Sequence, residues 1–93
     1  MVFDWDEDKG ELNRIKHGVT FDEATSVFDD YFHVDFYDPK HSAEEHRFMK
    51  VGESNEGRLL IVSYTERGDK IRIISARELT PQERRMYEHG KFE

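Results

Sequence analysis

No cysteine occurs among the 93 residues, which excludes a disulfide framework, a thiolate zinc site and a cysteine nucleophile. That absence favours a reducing compartment. Proline is scarce, at two residues. No Pro/Gly-rich linker, low-complexity tract or internal repeat divides the chain, so one domain spanning residues 1–93 with one core is expected. A domain this small is marginally stable alone, which makes a permanent partner unsurprising. Long apolar runs are also missing. The longest, Leu59 to Val62, is far too short to span a bilayer. The opening stretch Met1-Val2-Phe3-Asp4-Trp5-Asp6-Glu7-Asp8 has neither the basic nor the apolar region of a secretory signal. A soluble, cytoplasmic protein with no membrane partner is the expectation. Without a Gly-rich phosphate loop or a Gly-x-Ser-x-Gly elbow, nucleotide hydrolysis and serine acyl transfer are not favoured.

What is present is charge, unevenly placed. The net charge of −7 argues at face value against nucleic acid, whose phosphates attract basic surfaces. Residues 1–46, however, hold 13 Asp and Glu against 4 Lys and Arg, whereas residues 47–93 hold 8 against 10. The second half carries Arg47, Arg58, Arg67, Arg72, Arg77, Arg84 and Arg85. An acidic half and an arginine-bearing half suit two different partners, or simply an ordinary mixed surface.

The order of elements reads as ααββββα, an α+β fold. Asp6 caps a first helix to about His17, stopped by Gly18, with Leu12 and Ile15 as its narrow apolar stripe. Thr20-Phe21-Asp22-Glu23 forms a capping box ahead of a short second helix closed by Asp29-Asp30. From residue 32 the apolar period becomes two: Phe32, Val34 and Phe36 alternate up to the turn Asp38-Pro39-Lys40. Strands follow over 45–52, 58–65 and 70–77. Their short connections imply a four-stranded antiparallel meander with the helices on one face. Thr80-Pro81-Gln82-Glu83 opens a C-terminal helix with an N-cap, a first-turn proline and a capping-box glutamate.

In the last strand, strict alternation puts Ile71, Ile73, Ser75 and Arg77 on one face and Arg72, Ile74 and Ala76 on the other. Arg77 would then be anchored at the end of a buried face, presenting its fork to a phosphate or pairing with Glu83 or Glu88. Arg67 ends the preceding strand beside the turn, and Arg47 opens the strand before that. Arginines gathered at strand ends supply what a scissile phosphate requires. RNA can be cut internally without a metal, because its 2′-hydroxyl attacks its own phosphate when a base, an acid and cations are provided. His17 follows Lys16 at a helix C-terminus, where the dipole favours a cation, so this pair offers a charge and a titrating group or plain capping. His41 and His46 bracket Ser42-Ala43-Glu44-Glu45 near Asp38, but the spacing matches no standard metal-ligand pattern. No metal or cofactor is expected.

Several segments, in order and nearly end to end, resemble the BrnT family, small ribonuclease toxins of bacterial type II toxin–antitoxin pairs. They are Phe3-Asp4-Trp5-Asp6; Asn13 through Lys16-His17-Gly18-Val19 into Phe21; and Ala24 through Val27-Phe28-Asp29. Next come Asp38 with His41-Ser42 and Glu45 before Arg47; Gly57-Arg58-Leu59-Leu60; and Thr65 with Arg67. Ile71 through Arg77, followed by Glu83-Arg84 and Tyr87, completes the set. The resemblance implies a RelE-like fold, RNA cleavage, inhibition of translation, and neutralisation by a small DNA-binding antitoxin (BrnA). It also implies a two-plus-two heterotetramer that reaches DNA only through the antitoxin. Lys16, His17, Arg67 and Arg77 would fall at the catalytic site, with Arg47 and Arg72 as further RNA contacts. The acidic balance departs from the usually basic ribonucleases of this kind. Either the arginine-bearing half suffices to hold RNA, or this member cuts poorly. A non-enzymatic protein-binding module, or a corepressor subunit acting through its partner, would use the same arginines without cleavage.

Overall fold

The computed structural model describes residues 1–92. Strands β1 (Val2–Asp4), β2 (Val34–Tyr37), β3 (Arg47–Glu53), β4 (Leu59–Arg67) and β5 (Lys70–Glu78) form one sheet. Helices α1 (Glu7–His17), α2 (Phe21–Ser26) and α3 (Pro81–Glu88) accompany it, with 3₁₀ turns at Val27–Asp29 and Pro39–His41. The strand order is β1-β5-β4-β3-β2. The antiparallel meander from β2 to β5 agrees with the sequence, but the sheet has five strands and is mixed. β1 lies parallel to β5, pairing Val2 with Lys70 and Asp4 with Arg72. Three residues are too few to display an alternating pattern, and nothing local marks a pairing across almost seventy positions.

Local chemistry sets the helix ends. The Asp6 side chain accepts the Lys9 N–H, and Gly18 adopts φ 69° while its N–H closes onto the Arg14 carbonyl. That left-handed stop is nearly free for glycine alone. At α3 the capping box is complete in both directions. At α2 only half of the expected box forms: Thr20 accepts the Glu23 N–H, but the Glu23 carboxylate turns inward. Buried there, it accepts from Ser54 at 2.7 Å and from the Arg58 guanidinium. The guanidinium holds that carboxyl below the usual range. Tertiary pairing has won over local capping.

The expected stripe of α1 is not buried. Leu12 and Ile15 are 64% and 66% exposed, and Asn13 is the residue that goes inside. Its Nδ2 donates to the carbonyls of Val19 (2.9 Å) and Ala76 (2.8 Å), while its Oδ1 accepts the Ala76 N–H. Because β1 covers β5 only from Lys70 to Arg72, the edge at Ala76 needs another partner. The Asn13 amide provides one, presenting the donor and acceptor that a strand would.

The sheet is buried on both faces, but unequally. One face packs Leu60, Val62, Tyr64, Ile73 and Ala76 against Val19, Phe21, Ala24 and Val27. The opposite face packs Val51, Ile61 and Leu79 with Phe92, Phe36 and Tyr87. α3 and the segment after it therefore serve the second face, not the one that α1 and α2 cover, which corrects the expectation of helices on one side only. Alternation along β5 also breaks. Ser63 pairs with Ser75 and the adjacent Tyr64 with Ile73, leaving Ile74 as an extra residue. Such a bulge reverses the phase beyond it. Ile71, Ile73 and Ala76 consequently face the helices, while Arg72, Ser75 and Arg77 share the second face.

Candidate RNA-binding site

Register places three arginines together on the open half of that second face. Arg47 pairs with Thr65, and Thr65 with Arg72, which in turn stands beside Asp4. The next row holds Arg67 and Lys70, and the row on the other side Ser63 and Ser75. Side chains one row apart on one face of a sheet lie within reach of long residues. Thr65 is buried beneath the strip, and its hydroxyl donates to the His46 carbonyl at 2.7 Å.

Glu45 sits among these cations. Arg67 grips it through two parallel bonds, Nε to Oε2 at 2.8 Å and Nη2 to Oε1 at 3.0 Å. The hydrogen-bonded Arg67 guanidinium lowers the Glu45 carboxyl, aided by the charges of Arg47 and Arg72. Arg72 reaches Asp4 at a looser 3.7 Å. Among the described residues no carboxylate lies within 4.0 Å of the Arg47 guanidinium. A depression of about 320 Å³ opens beside it, lined by His41, Ala43, Glu44, Glu45 and Arg47. A fork already closed on one oxyanion, next to two more guanidiniums, is a geometry suited to a second oxyanion such as phosphate.

Of the residues singled out from sequence, the structure brings Arg47, Arg67 and Arg72 together. Arg77 lies on the same face in the row of Ile61, six positions along β4 from Arg67, or about 20 Å. Both of its branches engage Glu83, at 2.7 and 3.0 Å, so it ties β5 to the first turn of α3. Lys16 and His17 end α1, on the helix-covered side. Gly18, just beyond them, accepts from Arg58 at the far end of the sheet from Arg67. Neither joins the arginine strip.

Sequence reasoning weighed Asp38 and His41 only as metal ligands, and they form a pair that does adjoin it. Asp38 Oδ2 bonds His41 Nδ1 at 2.8 Å, across the tight turn that Pro39 begins. Asp-Pro-x-His was a legible signal for such a carboxylate–imidazole contact, since a 3₁₀ turn brings residues three apart into register. Among the described residues no group of three or more His, Asp or Glu side chains is arranged to hold a metal ion. Among the described residues no helix is long and apolar enough to cross a membrane.

The comparisons with known proteins agree with this architecture. The solved structure of the Brucella abortus ribonuclease toxin BrnT, at 1.1 Å, superimposes with a TM-score of 0.63 at 24% identity. The match covers 86% of this chain and 99% of that one. At that identity the likeness bears on the fold alone. No curated protein matches the sequence. The family model described as the ribonuclease toxin BrnT of type II toxin–antitoxin systems matches residues 5–83. The chain therefore belongs to the BrnT family.

Proposed function

We propose that this protein is an endoribonuclease that cuts RNA on the open half of its second sheet face without a metal ion. By this activity it inhibits translation, and it is neutralised by a small DNA-binding antitoxin in a two-plus-two assembly that reaches DNA only through the antitoxin. Membership of a toxin family supports the class of activity. The observation that carries the site is the convergence of Arg47, Arg67 and Arg72 around one carboxylate.

In this reading Arg67 exchanges Glu45 for the scissile phosphate, and Arg47 and Arg72 flank it. Three neighbouring guanidiniums stabilise the extra negative charge that develops at phosphorus when the 2′-oxygen attacks. The grip expected of Arg77, and the proton handling expected of Lys16 or His17, have no geometric support at this strip.

Purified protein incubated with total RNA in excess EDTA tests the proposal. Fragmentation should survive chelation and fall sharply in Arg47→Ala, Arg67→Ala and Arg72→Ala, while His17→Ala retains it. Each phosphate contact contributes about −0.7 to the slope of log affinity against log salt for single strands. Loss of one of these arginines should therefore flatten the slope by roughly that amount. Intact RNA with folded protein, both alone and with ribosomes added, would overturn the reading. It would favour a binding module whose Arg67 fork takes an acidic partner as it now takes Glu45.

A further inference from the structure

The connection from β2 to β3 is held more tightly than a surface loop needs to be. At its base the Asp38 N–H donates to the Arg47 carbonyl at 2.9 Å. The Ser42 hydroxyl donates to the Asp38 carbonyl at 2.6 Å and accepts the Arg47 N–H at 2.9 Å. Its far limb is tied down by Thr65 at the His46 carbonyl and by Arg67 at Glu45. Within this frame His41 is 63% exposed at its side chain, while its partner Asp38 is only 14% exposed. A largely buried carboxylate thus holds an imidazole that faces solvent, on the rim of the depression that Arg47 and Glu45 also line.

We propose that His41 is the general base of RNA cleavage and that Asp38 is its positioning residue; the proposal rests on the ribonuclease reading above. The bond to Asp38 Oδ2 makes Nδ1 the protonated nitrogen, which leaves the Nε2 lone pair of the neutral ring free to accept a proton. The 2′-hydroxyl of the bound RNA gives its proton to Nε2, and its oxygen forms a new bond to phosphorus. The bond from phosphorus to the 5′-oxygen breaks, its electron pair stays on that oxygen, and a proton from water completes the leaving hydroxyl. The products are a 2′,3′-cyclic phosphate and a 5′-hydroxyl end. The two nearby alternatives are occupied. Glu45 is held below the usual carboxylate range by Arg67 and, once phosphate takes that fork, still by the neighbouring charges of Arg47 and Arg72, which makes it a poor proton acceptor. His46 turns to the helix side, where its Nδ1 meets the Tyr37 hydroxyl at 3.0 Å.

The test measures binding and cleavage separately, with one oligoribonucleotide and its non-cleavable 2′-deoxy counterpart at fixed salt. His41→Ala and His41→Gln should bind the deoxy oligomer within about twofold of wild type. Their cleavage should fall on the order of 10²–10⁴-fold, the usual contribution of a positioned base, and added imidazole should partly restore it in His41→Ala. Asp38→Asn should lower kcat with KM unchanged. Wild-type cleavage by both His41 variants would overturn the proposal and leave the ribonuclease reading standing. So would lost oligomer binding in both, which would make His41 an RNA contact instead. Wild-type protein that neither binds nor cuts the oligomer would overturn proposal and reading together.

Discussion

Asn13→Ala is expected to destabilise the fold more than its position on a surface helix implies. The side chain satisfies three backbone groups at once: the Ala76 N–H, the Ala76 carbonyl and the Val19 carbonyl, at 2.8–3.1 Å. Truncation leaves all three without partners in a region where Val19 is 0% and Ala76 1% exposed. At about 1 kcal/mol for each orphaned group, the low end of the usual cost, the loss is about 3 kcal/mol. For a domain this small that lowers Tm by roughly 12–24 °C. Asn13→Asp separates the donor from the acceptor role. It retains an oxygen for the Ala76 N–H but sets a carboxylate oxygen against two carbonyls, so it should destabilise at least as much at neutral pH. Part of the loss should return on acidification, when the carboxyl can donate. Urea and thermal unfolding followed by circular dichroism give the free energies. Hydrogen exchange at the Ala76 amide reports the bond itself, with protection lost in Asn13→Ala. If Asn13→Ala stayed within 0.5 kcal/mol of wild type and kept that protection, the account of Asn13 as a strand surrogate would be refuted.

Two further outcomes follow from an ion pair and a close packing contact. The Arg77 guanidinium holds the Glu83 carboxyl at about 2, against an ordinary 4.5. A lowered folded pKa contributes stability that is complete above about pH 4.5 and lost as pH falls toward 2. After allowance for solvent screening the contribution is about 1–2 kcal/mol, and acid titration of Glu83→Gln should show a correspondingly flatter decline across that window. At Gly52 a Cβ would stand 2.8 Å from Asp30 Oδ2 and 3.1 Å from Val27 Cγ1. That Asp30 oxygen already accepts the Glu53 N–H at 2.7 Å, so Gly52→Ala should cost about 1–3 kcal/mol in urea unfolding, and an unchanged midpoint would contradict the packing described.

The elements that the sequence revealed are those whose signals are local. Caps at Asp6, Thr20 and Thr80, the stop at Gly18 and the short turns between strands each depend on a few neighbouring residues. What stayed hidden depends on distant partners. β1 exists because β5 offers an edge, Asn13 is buried because that edge needs a donor and an acceptor, and Glu23 abandons its cap for Arg58. The bulge at Ile74 was the most consequential omission. Assuming strict alternation placed Arg77 with the buried isoleucines and Arg72 opposite, when both belong to the second face. The arginines were legible as a set, but their division into a phosphate-sized cluster and a helix anchor required the register. The Asp38–His41 contact needed only a turn and was within reach of the spacing.

The same register explains how an acidic chain can present a site for a polyanion. Carboxylates such as Glu7, Asp8 and Glu11 lie on α1, behind the sheet from the strip. A layer of packed structure is about 10 Å thick, comparable with the Debye length of about 8–10 Å at physiological salt. Charges separated from the strip by a helix and the sheet are largely screened from a ligand approaching it. What that ligand meets is the local balance: Arg47, Arg67, Lys70 and Arg72 against Glu44, Glu45 and Asp4. The packing is divided along the same lines. The apolar half of the second face, around Val51, Ile61 and Leu79, holds α3 and Phe92, whereas the rows of Thr65 and Arg67 carry the cations. Replacing Arg47 or Arg72 therefore removes charge from the strip without opening either core, which is why salt-dependent RNA affinity in folded variants reports on this surface and the isoelectric point does not.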